Sequence, residues 1–214
     1  MKKRKLKKST KIMLIILLVV LFFGLGIFYI INNFTVKKPV NTKVKVIGEI
    51  KDFGYKLEEN ETKLYKKYFK ELTSILQEEK IDYEKYAVLV SKLYVADFYN
   101  LENKITKNDV GGTQFIHSSA VENFVVKAKD TMYKNIESNV YGDRRQELPV
   151  VSEIEVEEVE ETKFKLNNES VDAYKVILEW EYEKDLDYDD EKEIILIRED
   201  EKLSIVETNR KTSE

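Results

Sequence analysis

One pair of residues, His117 and Asp97, combines types that an acid/base catalyst could use. His117 is the only histidine, and Asp97 falls among apolar residues, between Leu93 and Leu101. If the chain folds so that the two meet in a pocket, with Tyr94 one turn before Asp97, they could exchange a proton with a ligand, given hydrogen-bond reach and tuned pKa values. The bland alternatives are a histidine making local hydrogen bonds at a loop-to-helix junction and an aspartate turned to solvent. A second candidate is the run Asp185-Leu186-Asp187-Tyr188-Asp189-Asp190-Glu191, which is dense in the oxygen ligands that hard cations favour. Asp185, Asp187 and Asp189 are its weak metal candidates. The EF-hand template fails on it, because the sixth and twelfth positions from Asp185 are Asp190 and Leu196 instead of Gly and Glu. A solvated acidic hairpin loop is the better expectation, and no metal is assigned.

Other patterns carry less. Asp109-Val110-Gly111-Gly112-Thr113 has paired glycines but lacks the Lys-Ser/Thr of a phosphate-binding loop, so it reads as a tight interhelical turn. Three Asn-x-Ser/Thr triplets, at Asn33, Asn60 and Asn168, match a short glycosylation pattern and are given no role. The absence of cysteine excludes disulfides, thiolate catalysis and cysteine-ligated zinc, and a single histidine excludes two-histidine zinc motifs. No catalytic residue and no cofactor are assigned, and a non-enzymatic protein is expected.

The elements that would position these residues begin with an anchor. Ile12 to Ile31 are twenty consecutive uncharged, mostly apolar residues; at about 1.5 Å each they reach about 30 Å, the hydrocarbon thickness of a bilayer. Tyr29-Ile30-Ile31-Asn32-Asn33-Phe34 offers no small-residue cleavage site, so an uncleaved transmembrane helix in contact with membrane lipid is expected. Gly24 and Gly26 form no GxxxG pair. Residues 1–11 carry seven basic side chains and no acid, which predicts a cytoplasmic N-terminus and a C-terminal domain outside the cell membrane. With those seven removed, 29 basic residues face 40 acidic ones, leaving a net charge of −11. Such a surface repels phosphate backbones, so nucleic acid is not an expected partner.

The expected organisation is a basic tail (1–11), a transmembrane helix (12–31), a stalk (32–57), an extracytoplasmic domain (58–208) and a short tail (209–214). The stalk carries one extended segment at Lys43–Ile50. Apolar residues at three- and four-residue spacing predict a helix over 60–79, from Leu64 to Leu76, with Asn60 as cap. A second is expected from Asp82 as cap to about Lys104. A third is expected after a capping box of Ser119 and Glu122, its stripe running from Val121 through Tyr133 to Ile136. The aromatic faces of these helices, with Tyr65, Tyr68, Phe69, Tyr86 and Tyr94, fit core packing better than a ligand pocket. From Leu148 the period becomes two, with strands around Ile154–Leu166, at Val171–Tyr182, at Glu193–Arg198 and at Lys202–Glu207. The predicted class is therefore α+β, three N-terminal helices on a curved antiparallel sheet behind one transmembrane helix.

That element order, over roughly residues 58–208, resembles the cone-shaped fold of the nuclear transport factor 2 superfamily. Its placement behind a single anchor resembles the outer domains of VirB8-type and TcpC-type proteins of bacterial conjugation machines. The cysteine-free, Lys/Ile/Glu/Asn-rich composition and the stretch Phe98–Phe115 resemble membrane-anchored proteins of Gram-positive bacteria. The resemblance implies an interaction module with an envelope protein as partner; enzymes of the superfamily imply the alternative, a sensor or enzyme using the cone's interior.

Overall fold

The computed structural model describes residues 8–34 and 44–211 and divides the chain into two compact units, 1–38 and 39–214. Most of the basic tail (residues 1–7), stalk residues 35–43 and residues 212–214 lie outside the described residues. The first unit contains helix α1 (Lys8–Phe34). Its stretch Lys11–Tyr29 is long and apolar enough to cross a membrane, and none of that stretch is buried within the protein. Phe22 and Phe23 are both largely exposed, which suits a lipid surround and would be costly in water.

In the second unit, β1 (Val46–Ile50) and β2 (Tyr55–Glu58) form a two-stranded antiparallel hairpin. Helices α2 (Lys63–Ile75) and α3 (Tyr83–Phe98) follow, then two 3-10 turns, Thr113–Phe115 and Ser118–Ala120, and α4 (Val121–Asp130). Strands β3 (Val151–Leu166), β4 (Glu169–Tyr182), β5 (Glu191–Glu199) and β6 (Lys202–Asn209) complete the chain as an antiparallel meander in the order β3-β4-β5-β6. The α+β class and the four-stranded antiparallel sheet match expectation; the two-stranded sheet is additional. Strand β1 falls in the extended segment expected at Lys43–Ile50, but it pairs with β2, so residues 46–57, expected as the end of the stalk, belong to that additional sheet, and the Tyr55 ring lies fully inside the core.

Local chemistry sets the element ends. The cap of α2 is Thr62, not Asn60: its Oγ1 accepts from the Tyr65 amide at 3.0 Å. Asp82 caps α3 as expected, accepting from the Lys85 amide at 3.1 Å. The capping box at Ser119 does not form. Ser119 sits inside a 3-10 turn, and Ala120, which precedes α4, supplies no side-chain bond. Helix α4 also stops earlier than its stripe predicts. Thr131 leaves helical geometry, and Tyr133 and Ile136 are buried from a turn that follows. Asn167 and Asn168, with φ of 50° and 69°, make the two-residue turn between β3 and β4, where both central positions need left-handed backbone.

Helix α3 is the centre of the domain: from Tyr86 to Phe98 nearly every side chain is buried, because α2 covers one flank and β3, β4 and β6 cover others. The sheet contributes Ile154, Val176, Leu178, Trp180, Ile194, Leu196, Leu203 and Ile205 to the same core. A smaller cluster of Ala173, Ile195 and Ile197 forms separately, with Phe164, Leu166 and Val206 against it. Strand β5, flanked by β4 and β6, has members in both clusters, which explains its unbroken run Ile194-Ile195-Leu196-Ile197.

Candidate functional site

At the C-terminal end of α3, Asp97 is buried and ion-paired with the equally buried Lys104. Its second oxygen, Oδ2, accepts from the Gly112 amide at 2.6 Å. Burial works against the Lys104 charge, but the Asp97 carboxylate more than offsets it and holds the lysine pKa above its usual value. The paired glycines exist because the chain passes so close to α3. A Cβ on Gly111 would lie 2.3 Å from Asp97 Oδ1 and 2.4 Å from its carbonyl oxygen. Gly112 has φ of +73°, and a Cβ there would meet the Tyr94 ring at 2.8 Å. Tyr133 completes the arrangement, accepting from the Gly111 amide at 3.1 Å while donating to the Phe98 carbonyl at 2.7 Å. Residues 99–112 are thus stitched to the helix end. Arg144 holds the same loop from outside, donating to the carbonyls of Lys104 at 2.7 Å and Glu102 at 2.6 Å.

Glu61, just ahead of α2, belongs to this buried polar group. It is 8% exposed, and Oε2 has no hydrogen-bond partner. Burial first, and the Asp97 charge second, push its pKa up to about 8, with Lys104 pulling the other way. Glu61 is therefore protonated at neutral pH, a neutral acid beside an ion pair. No sequence pattern marks it, because a Glu one position before a helix cap is ordinarily solvated.

His117 is placed elsewhere. Its amide donates to the Ile205 carbonyl at 2.9 Å, and Ile116 makes a parallel bridge with Ile205, so this segment lies against β6. The ring Nδ1 is 2.9 Å from Ser119 Oγ, and Nε2 is 3.7 Å from a Glu199 carboxylate oxygen. Glu199 also receives the Ser118 amide at 3.3 Å; burial opposes its charge, but the bonds from this turn and the nearby His117 leave its pKa lowered. Asp97 and His117 therefore have separate partners, and the structure does not bring them together as an acid/base pair.

Tyr94 borders an open cleft. Its ring is buried against Phe98, stacked at 5.3 Å, and near Phe124 at 6.1 Å. The cleft above them, about 430 Å³, lies between α3, α4 and the ends of β5 and β6, with Lys127, Lys192 and Arg210 at its polar side. In the acidic loop, Asp189 is already engaged: Lys192 reaches it at 2.9 Å and Arg210 at 3.2 Å. Burial opposes its charge, but the two cations leave its pKa lowered. Asp185 Oδ1 accepts from the Asp187 amide at 3.1 Å, closing a local turn in which Asp187 has φ of 60°. Among the described residues no group of three or more His, Asp or Glu side chains is arranged to hold a metal ion.

A second charged feature lies on the sheet. Glu153 stands opposite Glu181 and Glu155 opposite Glu179, cross-strand pairs of like charge on one face, and together with Asp190 and Glu191 they line an acidic depression. Directly opposed like charges destabilise a sheet. Lys211 offsets part of this, bridging Glu157 at 2.7 Å and Glu179 at 2.9 Å.

Comparison with protein-family models, with curated proteins and with solved structures finds no match to this chain, so its reading rests on its own geometry.

Proposed function

We propose that the protein is a membrane-tethered, non-catalytic interaction module: α1 anchors it with the N-terminus in the cytoplasm, and the α+β domain meets another protein of a cell-envelope, secretion or conjugation assembly on the outer side. The observation that carries this is the state of the domain interior. The polar residues that could have formed a reaction centre, Asp97 and His117, are consumed in separate structural bonds, and the space between helices and sheet is filled by Tyr55, Tyr65, Tyr86, Tyr94, Phe115 and Tyr133, all fully or almost fully buried. A filled aromatic interior leaves the surface as the working part of the molecule. Seven basic residues ahead of the span and a domain of net charge −11 support the orientation. The order of helices and then meander fits a curved-sheet, cone-shaped domain of the type carried by VirB8-like proteins, and that likeness supports the assembly role. The opposed glutamates of β3 and β4 favour a basic partner surface, since a cationic face would relieve a repulsion present in the free domain.

Crosslinking in intact cells, through a photoreactive residue at Glu155 or Glu181, tests this. Recovery of one specific envelope protein, lost when the other three of Glu153, Glu155, Glu179 and Glu181 are changed to Gln, is the expected result. Repeated recovery of the uncrosslinked monomer overturns the proposal.

A further inference from the structure

The cleft beside Tyr94 differs in charge from the rest of the domain. Its floor is aromatic: Phe98 lies 5.1 Å from Phe124 and 4.9 Å from Tyr99, and Tyr94 stacks on Phe98. Its polar side holds three cations, Lys127, Lys192 and Arg210, against one carboxylate, Asp189. Lys192 and Arg210 share that carboxylate, so the cleft keeps a net charge of about +2 inside a domain of net charge −11. The depression on β3 and β4 has the opposite character, lined by glutamates and an aspartate. A volume of about 430 Å³ is that of a small-molecule site, where an apolar body is buried and a few polar groups fix orientation.

We infer that this cleft binds a small ring-bearing carboxylate, its ring against Phe98 and Phe124 and its anion between Lys127 and Arg210. The choice of anion follows from charge complementarity: one carboxylate, Asp189, stands against three cations, so a ligand carboxylate would meet a net positive rim at the exposed Lys127 and Arg210. The choice of a ring follows from the lining, where Phe98 and Phe124 border the cleft and offer an aromatic surface for a further ring. Lys192 is nine-tenths buried and fixed by Asp189, so one of the cations is pre-placed and loses little freedom on binding. This inference does not depend on the protein partner proposed above.

The reporter is built in. Trp180, the single tryptophan, lies 4.5 Å from the Tyr99 ring, and Tyr99 borders the cleft. The full chain in zwitterionic lipid nanodiscs is titrated with 4-phenylbutyrate, 4-phenylbutanol and 4-phenylbutylamine while Trp180 emission is followed. The carboxylate should change the emission saturably and bind about tenfold or more tighter than the alcohol, with the amine weakest. Charge reversal at the exposed Lys127 and Arg210 (K127E with R210E) should weaken it by about tenfold or more, with an unchanged urea midpoint showing the fold intact. Equal binding of alcohol and carboxylate, unaltered binding in the reversed variant, or a response that never saturates overturns the inference. So does binding of an acidic, Phe-bearing peptide without any binding of 4-phenylbutyrate, which would make the cleft a protein-docking pocket.

Discussion

Replacing Glu61 with Gln should change how stability depends on pH, and the structure fixes the sign. Glu61 is an acid whose pKa rises from 4.5 in the unfolded chain to about 8 in the folded one. Between those values the native state binds more protons than the unfolded state, so stability falls as pH rises. The penalty is absent below about pH 4.5, grows through the window and is complete above about pH 8. A shift of that size corresponds to about 1.4 kcal/mol per pH unit and about 5 kcal/mol in all. Water drawn toward the ionised carboxylate should reduce this to roughly 2–3 kcal/mol. Gln has the shape of the protonated acid and does not titrate, so Glu61→Gln should match the native chain near pH 5 and exceed it by roughly 2–3 kcal/mol at pH 8.5. Urea unfolding read by Trp180 emission at several pH values measures the difference, and groups shared by both chains, such as Glu58, Asp109 and Lys66, largely cancel from it. A difference that stays flat between pH 5 and 8.5 would refute the buried, neutral Glu61.

Three further outcomes follow from the same region and the core. Gly111→Ala should destabilise the domain by roughly 3 kcal/mol or more, because the new methyl group would overlap the Asp97 carboxylate and backbone, and thermal unfolding will show the loss. Asp97→Asn should cost roughly 3–5 kcal/mol by stranding the Lys104 charge, whereas Asp97→Asn combined with Lys104→Met should recover much of that in a double-mutant cycle. Tyr55→Phe should cost about 1–2 kcal/mol, since Tyr55 OH donates to the Leu203 carbonyl at 2.9 Å and accepts from Tyr86; denaturant unfolding at constant m-value checks it.

Much of the frame was legible because long stripes and alternations outvote local noise. The long apolar helix α1, the apolar faces of α2 and α3, the Asp82 cap and the meander all follow from period and cap chemistry. The extended segment at Lys43–Ile50 contains β1, but its pairing with β2 was not legible because β2 has only four residues, so Tyr55, its buried member, looked like a stalk residue. Helix α4 was overextended because Met132, Tyr133 and Ile136 keep helical spacing after the chain has left the helix at Thr131. The candidate site was harder. Asp97 and Lys104 straddle a helix end, so no single periodicity relates them, and the Gly111–Gly112 pair, read as a plain turn, is a close approach to Asp97. What relates these residues is tertiary, and a one-dimensional pattern has no term for it.

The hydrogen bonds among Tyr55, Tyr86 and Leu203 have a further consequence for how the molecule is made. Tyr55 donates to the Leu203 carbonyl, the Leu203 amide donates to Tyr86 at 3.2 Å, and Tyr86 donates back to Tyr55 at 2.8 Å, a closed circuit between β2, α3 and β6. Tyr55 and Leu203 are 148 positions apart. Tyr55 therefore lacks this partner until β6, 148 positions later in the chain, has left the ribosome. Closure of the β1–β2 hairpin onto the core depends on β6, so a chain cut short before β6 would remain open at its first hairpin as well as along the free edge of β5.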